Sequence, residues 1–277
     1  MNYHIVVDSC CDLLPEMKEE MGIYSVPLTM TLGDKSFTDN ENLNLSGFLE
    51  EMHACKEKIG SAAPSPSLYK DAFQSTGAQY AVTLSSRLSS SHAFALLGKE
   101  MAEEEETQNT YVFDSKSASA GETLVTIKLF NMISEGIHKP KIITRIESFI
   151  KEMKTYFVLD NIENLVKNGR LHKIAGKIVS TLNIKPLMGS DGDGNISFFS
   201  YSRGEKQTIN RLTDTIEKSG KKTDGQTLVI SHCKNPSLAD KLKTTLLGRY
   251  HFKDIIIVPT GGISSLYANV SGIVMAF

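Results

Sequence analysis

Three times in the first half of the chain a short apolar run stops at a serine-bearing polar loop, and each time a helical stretch follows. The runs are Tyr3-His4-Ile5-Val6-Val7 before Asp8-Ser9, Tyr80-Ala81-Val82-Thr83-Leu84 before Ser85-Ser86, and Thr110-Tyr111-Val112-Phe113 before Asp114-Ser115. Continuous rather than alternating apolar character marks strands covered on both faces, and helices opening at Pro15, Ala93 and Ser119 supply the cover. The repeat predicts a parallel α/β sheet. In such sheets ligands bind outside the carboxyl ends of the strands, which is where these serines fall. The densest loop runs Ser85-Ser86-Arg87-Leu88-Ser89-Ser90-Ser91, and one helix cap needs only one serine. Side-chain hydroxyls, free backbone N–H groups and the positive end of a helix dipole would there suit an anionic head group, carboxylate or phosphate.

The chain has 277 residues, which favours two domains over one. Tyr24 to Leu32 alternates as a strand, and Gly33-Asp34 turns it into a hairpin insert near 24–38 that projects from the parallel sheet. Ser46 is expected to cap a helix, and 60–67, small residues around Pro64 and Pro66, to lie as an extended loop. The acidic run Glu103-Glu104-Glu105-Glu106 reads as a solvated turn. The pattern changes past a helix from Pro140 to about Lys154. A short strand at Phe157 and a helix at 162–166 stopped by Asn168-Gly169 come next, then a helix at 174–182 and a strand from Ile184 whose Pro186 argues for an edge or terminal position. A hairpin partner at 196–201, strands at 227–231 and 254–258 and the closing 270–277 complete a mixed sheet. The expected architecture is α/β with two domains. Residues 1–154 form an N-terminal parallel sheet flanked by helices, and 155–277 a C-terminal mixed-sheet α/β domain.

Charge and motifs exclude several classes of function. Thirty basic against 32 acidic residues give a net charge of −2, which does not suit a nucleic-acid surface. No segment approaches a membrane span and the first residues do not resemble a signal peptide, so a cytoplasmic location without integral membrane contact is expected. Cys10, Cys11, Cys55 and Cys233 read as free thiols. GxGxxG, the GxxxxGK[ST] phosphate loop, HExxH and GxSxG are all absent, so no cofactor, metal or serine-hydrolase elbow is indicated. Thr260-Gly261-Gly262 reads as a tight turn, Asp191 to Asn195 as a turn rather than a calcium loop, and Asp8 and Asp114 as caps rather than an acid/base pair. Hydroxyl loops at Ser9, Ser61, Ser89 and Ser115 remain, with one well-placed cation, Arg170. Uncharged donors without a base or metal describe a binding site better than a reaction centre.

Taken in order, the motifs resemble the DegV family of fatty-acid-binding proteins. The resemblance runs through Asp8-Ser9 with Asp12-Leu13, Pro27-Leu28, and Ser61-Ala62-Ala63-Pro64-Ser65-Pro66 in the place of the family's Thr-Ser-Gln-Pro-Ser-Pro. It continues through Ser85-Ser86-Arg87-Leu88-Ser89, Asp114-Ser115, Asn168-Gly169-Arg170, Lys185-Pro186-Leu187 and Arg203-Gly204. The resemblance implies a two-domain DegV-like fold that buries one long-chain fatty acid, its carboxylate held by Ser61 and Ser89. It also implies a partner, an ATP-dependent fatty acid kinase that performs the phosphoryl transfer, so this chain would be a carrier with no catalytic residue. Ser90-Ser91-His92 stands where the family has Gly-Thr-Tyr, and Ser90 joins the candidate ligand contacts. Near the end the family's Thr-His-x-Gly-Pro-Gly gives way to Leu266-Tyr267-Ala268-Asn269-Val270-Ser271-Gly272, with Tyr267 nearest the histidine. The candidate ligand-binding set is Ser61, Ser89, Ser90, Arg170 and Tyr267. Arg170 and Arg203 are alternatively suited to kinase docking or a structural ion pair. The enzymatic alternative is a hydrolase or transferase of lipid-like substrates with Ser89 as nucleophile, which needs a base that no motif supplies.

Overall fold

The computed structural model describes residues 3–77, 80–103, 110–171 and 184–277. The first half opens with β1 (Ile5–Asp8), α1 (Pro15–Glu20) and β2 (Ile23–Val26), followed by β3 (Thr29–Leu32), β4 (Lys35–Thr38) and α2 (Leu45–Ala54). Then come β5 (Ile59–Ala62), α3 (Pro66–Thr76), β6 (Tyr80–Thr83), α4 (Ser91–Glu103), β7 (Tyr111–Asp114), α5 (Ala120–Ser134) and α6 (Lys139–Glu152). Strands β2-β1-β6-β7 make one parallel sheet in that order. Side chains alternate across it, so Ile5, Val7, Tyr80 and Val82 pack on one face, while Val6 and Ala81 pack on the other with Tyr69 and Phe73 of α3. This is the parallel sheet with two covered faces that the apolar runs predict.

The second half contains β8 (Thr155–Val158), α7 (Glu163–Lys167), β9 (Ile184–Ser190), β10 (Ile196–Arg203), α8 (Gly204–Ser219) and β11 (Thr227–His232). It closes with α9 (Pro236–Leu247), β12 (Asp254–Pro259), α10 (Gly262–Ala268) and β13 (Ile273–Ala276). These strands form a mixed sheet ordered β10-β9-β8-β13-β11-β12, with only β11 and β12 parallel. The fold is therefore mixed α/β with one parallel and one mixed sheet. Helix α5 lies between the two sheets, and eleven of its 15 residues are buried. Its Leu124, Val125 and Leu129 share one core with Val82 and Phe113 on one side and Val229, Val274 and Ala276 on the other. A helix apolar on nearly all sides can only sit inside a protein.

The structure corrects several local expectations. The single strand read over 24–32 is two, because Pro27 divides it: β2 joins the parallel sheet, and β3 starts an antiparallel sheet ordered β4-β3-β5. Residues 60–62, expected in a loop, belong to β5, with Ser61 opposite Met30. Small residues are tolerated there because β5 is an edge strand, and both prolines fall beyond it. Asn44 rather than Ser46 caps α2, its carboxamide oxygen accepting the Gly47 N–H at 3.1 Å. Pro186 lies inside the mixed sheet, in β9 between β10 and β8. It fits because pairing with β8 covers only Leu187 to Gly189, so the ladder on that side has ended before the proline. The stretch from Gly262 forms α10, not a bare turn. The helix expected at 174–182 and the acidic residues 104–106 fall outside the described residues. Among the described residues, no helix is long and apolar enough to cross a membrane.

Candidate functional site

Beside the carboxyl ends of β6 and β7 the two sheets line a cavity that is partly open to solvent. Its wall is mostly apolar and includes Leu84, Leu88, Phe157, Leu159, Leu165 and Ile196. That character fits a ligand pocket for an apolar molecule with few polar anchors. Ser61, Ser89, Arg170 and Tyr267 all line it, so four of the five residues singled out by sequence converge. Ser90 does not. It is exposed, outside the lining, and its carbonyl accepts the Phe94 N–H as α4 begins.

The four come from separate elements: β5, the β6–α4 loop, the turn after α7, and α10. Ser61 Oγ and Tyr267 OH lie 2.7 Å apart in a hydrogen bond. Two hydroxyl protons share that single bond, so one is left over for an acceptor in the cavity. Ser89 Oγ accepts the Ser91 N–H at 3.1 Å, and its own proton meets no acceptor among the described residues. The Arg170 guanidinium carbon stands 5.6 Å from the centre of the Tyr267 ring, while Nε donates to the Leu88 carbonyl at 3.2 Å and Nη1 to that of Asn168. The arginine is thus pinned beside Ser89 with N–H groups remaining. An anion at this corner would find two hydroxyl donors and a cation. Ser9 and Ser115, the other two hydroxyl loops, serve the protein instead: Ser9 Oγ accepts the Leu28 N–H, and Ser115 Oγ donates to the Ser117 carbonyl.

Two asparagines hold this corner in register: Asn164, which sequence reading passed over, and Asn168, which it read as a helix stop and part of the family motif. Asn164 of α7 is buried and donates its amide to the Leu266 carbonyl at 2.7 Å, next to Tyr267. One turn on, Asn168 donates to the Ile59 carbonyl at 3.1 Å, in the strand that carries Ser61. Helix α7 therefore brackets β5 against α10. Nothing local signals this, because the partners are 102 and 109 residues away.

Beneath the cavity lie four buried carboxyl groups: Asp8, Asp12, Asp39 and Glu122. Asp8 is a loop cap, accepting N–H bonds from Cys10 and Leu84 and the Ser91 hydroxyl. Asp114 caps the next loop through Ser86 and Lys116, so the two do not act as an acid/base pair. Burial pushes Asp8 and Asp12 up to about 6, and burial with the Asp8 charge pushes Glu122 far above the usual carboxyl range. Neither Glu122 oxygen receives a donor among the described residues, which suits a neutral acid that gives its own proton to Asp8. Asp8, Cys10 and Glu122 stand close enough together to ligate an ion. The donor set does not suit one: Asp8 already accepts three hydrogen bonds from the protein, and burial raises both Glu122 and the Cys10 thiol, which opposes the deprotonation a metal ligand needs. All four cysteines are free thiols, and the Cys11 thiol is pushed up to about 12 by burial.

Asp12 and Asp39 explain the paired glycines. Asp12 Oδ1 accepts the Gly261 N–H at 2.7 Å, and Asp39 accepts those of Gly262 and Ile263 at 2.8 and 2.9 Å. A Cβ on Gly262 would stand 2.5 Å from Asp39 Oδ1, so only glycine lets the carboxylate approach. The start of α10 therefore holds the chain's own acids rather than a phosphate. The serine-nucleophile reading gains nothing either, since no histidine or carboxylate is bonded to Ser89 Oγ among the described residues.

Comparison with known proteins agrees in family and in fold. The family model described as "Uncharacterised protein, DegV family" matches residues 2–276. A DegV domain-containing protein of Streptococcus gordonii is 32% identical over 280 residues, covering 100% of this chain and 99% of the relative. A crystal structure of a DegV family protein from Ruminococcus gnavus, refined with vaccenic acid, superposes with a TM-score of 0.94 at 36% identity, covering 100% of both chains. The fatty acid kinase (Fak) B3 protein of Streptococcus pneumoniae, loaded with linoleic acid, gives a TM-score of 0.91 at 32% identity over 100% of this chain and 99% of that one.

Proposed function

This chain belongs to the DegV family, and from that premise we propose that it is a non-enzymatic carrier of one long-chain fatty acid. The acyl chain lies in the apolar cavity. Its carboxylate accepts the Ser89 proton and the proton left over by the Ser61–Tyr267 pair, with the Arg170 charge alongside. The observation that carries the reading is this combination of an apolar wall with hydroxyl protons that no acceptor takes among the described residues. Each CH₂ moved from water into such a wall contributes about 0.8 kcal/mol, so a long chain supplies most of the affinity and the hydroxyls fix its direction. Tyr267 takes the place of the family's histidine as a neutral partner for Ser61. The carrier presents its fatty acid to an ATP-dependent fatty acid kinase in the cytoplasm, and the phosphoryl transfer belongs to that partner.

The test is chemical. Protein purified from cells and extracted with solvent should release one fatty acid per chain by mass spectrometry. Protein that emerges lipid-free and does not take up palmitate or oleate removes the proposal. Labelling of Ser89 by a fluorophosphonate probe would revive the hydrolase reading.

A further inference from the structure

A second cleft opens where α5 and the middle of α6 meet the loop before β11 and the residue before β12. From α5 it takes Leu124, Ile127, Lys128, Asn131 and Met132, with Glu135 at the helix's C-cap, and the spacing places them on one helical face. Arg145 and Phe149, one turn apart on α6, form the opposite wall. Gln226 and Lys253 close the end.

Some exposed cations pair with acids, Lys35 with Glu51, Lys167 with Glu163, Lys241 with Glu205 and Arg249 with Asp214, and others stand unpaired; this cleft gathers three of the unpaired ones. Among the described residues, Lys128, Arg145 and Lys253 make no side-chain hydrogen bond or ion pair with the protein, nor do Glu135 and the amides of Asn131 and Gln226. The Lys128 ammonium stands 5.7 Å from the centre of the Phe149 ring, which holds it at the rim over an apolar floor. Three cations against one acid leave the cleft two positive charges in excess. None of the three cations is ion-paired among the described residues.

We propose that this cleft binds a small organic phosphate: a phosphate monoester carried on an apolar or aromatic body, such as a nucleoside monophosphate. A phosphate monoester near neutral pH carries close to two negative charges and three strong acceptor oxygens. Those match the charge excess and the donors of Arg145, Asn131 and Gln226, a guanidinium being suited to bidentate contact with phosphate. The half-buried ring of Phe149 offers the surface on which the body rests. The cleft is separate from the acyl cavity, with which it shares no lining residue.

Titration of isotope-labelled protein with adenosine monophosphate, up to about 10 mM so that even millimolar affinity registers, gives the measurement by amide chemical shifts. Saturable shifts at Asn131 and Gln226 are expected. Each charged contact is worth enough that Arg145→Glu with Lys253→Glu should weaken binding at least about tenfold, while fatty-acid loading of the same variant stays intact. Both positions are exposed, and retained loading shows the variant is folded. The proposal is overturned by any of three results: no saturable shift in the unmodified protein, equal affinity in the double variant, or succinate binding as tightly as the phosphate.

Discussion

Two groups of hydrogen-bond donors lie close to each other at the strand ends of this protein, and they differ in what they meet. At the start of α10 the N–H groups of Gly261, Gly262 and Ile263 all reach carboxylates of the same chain, Asp12 and Asp39. At the cavity wall, Ser61, Tyr267 and Ser89 hold two protons that no acceptor takes among the described residues. The first has the sequence look of a phosphate loop and is structural. The second is a scatter of ordinary hydroxyls, and it is the one suited to a ligand. Donor density alone does not mark a binding site; what matters is whether the fold has already supplied the acceptor.

The comparison can be broken by experiment, beginning with the largest expected effect. The buried acids make the structural group sensitive to pH. Asp8 and Asp12 have folded values near 6 against an ordinary 3.8, so between those limits the native state holds protons that the unfolded chain has lost. Their contribution therefore favours the fold as pH falls from 7 towards 4 and changes no further below that. Two groups raised in this way should move stability by several kcal/mol, read as a higher urea midpoint at pH 5 than at pH 7. A midpoint that falls over this range would show the acids are not buried as described. Next, Asp39→Ala strands two N–H groups at the start of α10 and should cost about 3 kcal/mol in urea unfolding.

The ligand group should respond in the opposite way. Ser89→Ala should weaken fatty-acid binding by about 2 kcal/mol, measured by displacement of a fluorescent fatty acid, with little change in the urea midpoint of lipid-free protein. If stability falls and affinity does not, Ser89 belongs with the structural group. Tyr267→Phe should cost only about 1 kcal/mol of affinity, because Ser61 is then released to donate its own proton. Combining it with Ser61→Ala should bring the loss up to that of Ser89→Ala. Equal losses in the single and double variants would mean that the pair supplies no proton to the ligand.

Much of this was legible in the sequence. Continuous apolar runs gave the parallel strands, and Ser61, Ser89, Arg170 and Tyr267 were in view before the fold was. What stayed hidden depends on partners far along the chain. Gly60-Ser61-Ala62 has no strand propensity of its own and becomes a strand because β3 offers an edge. The glycines at 261 and 262 read as a turn because the acids they serve lie 249 and 223 residues earlier. Asn164 looks like an ordinary surface residue of a short helix, and Asn168 reads as the stop of that helix rather than as a donor to β5. Ser90 was drawn in by composition, since a run of serines does not show which of them face inward.

Ser61 and Tyr267 meet across 206 residues of chain. A contact of that span has no local route to formation, since the intervening segments must be ordered before it can close. The head-group corner should therefore mature among the last steps of folding, and a fragment lacking either half would be blind to lipid. A ligand that recognises only the finished fold also protects it, increasingly so as its free concentration passes the dissociation constant. Fatty-acid supply would then govern the lifetime of this chain against proteases as well as its cargo.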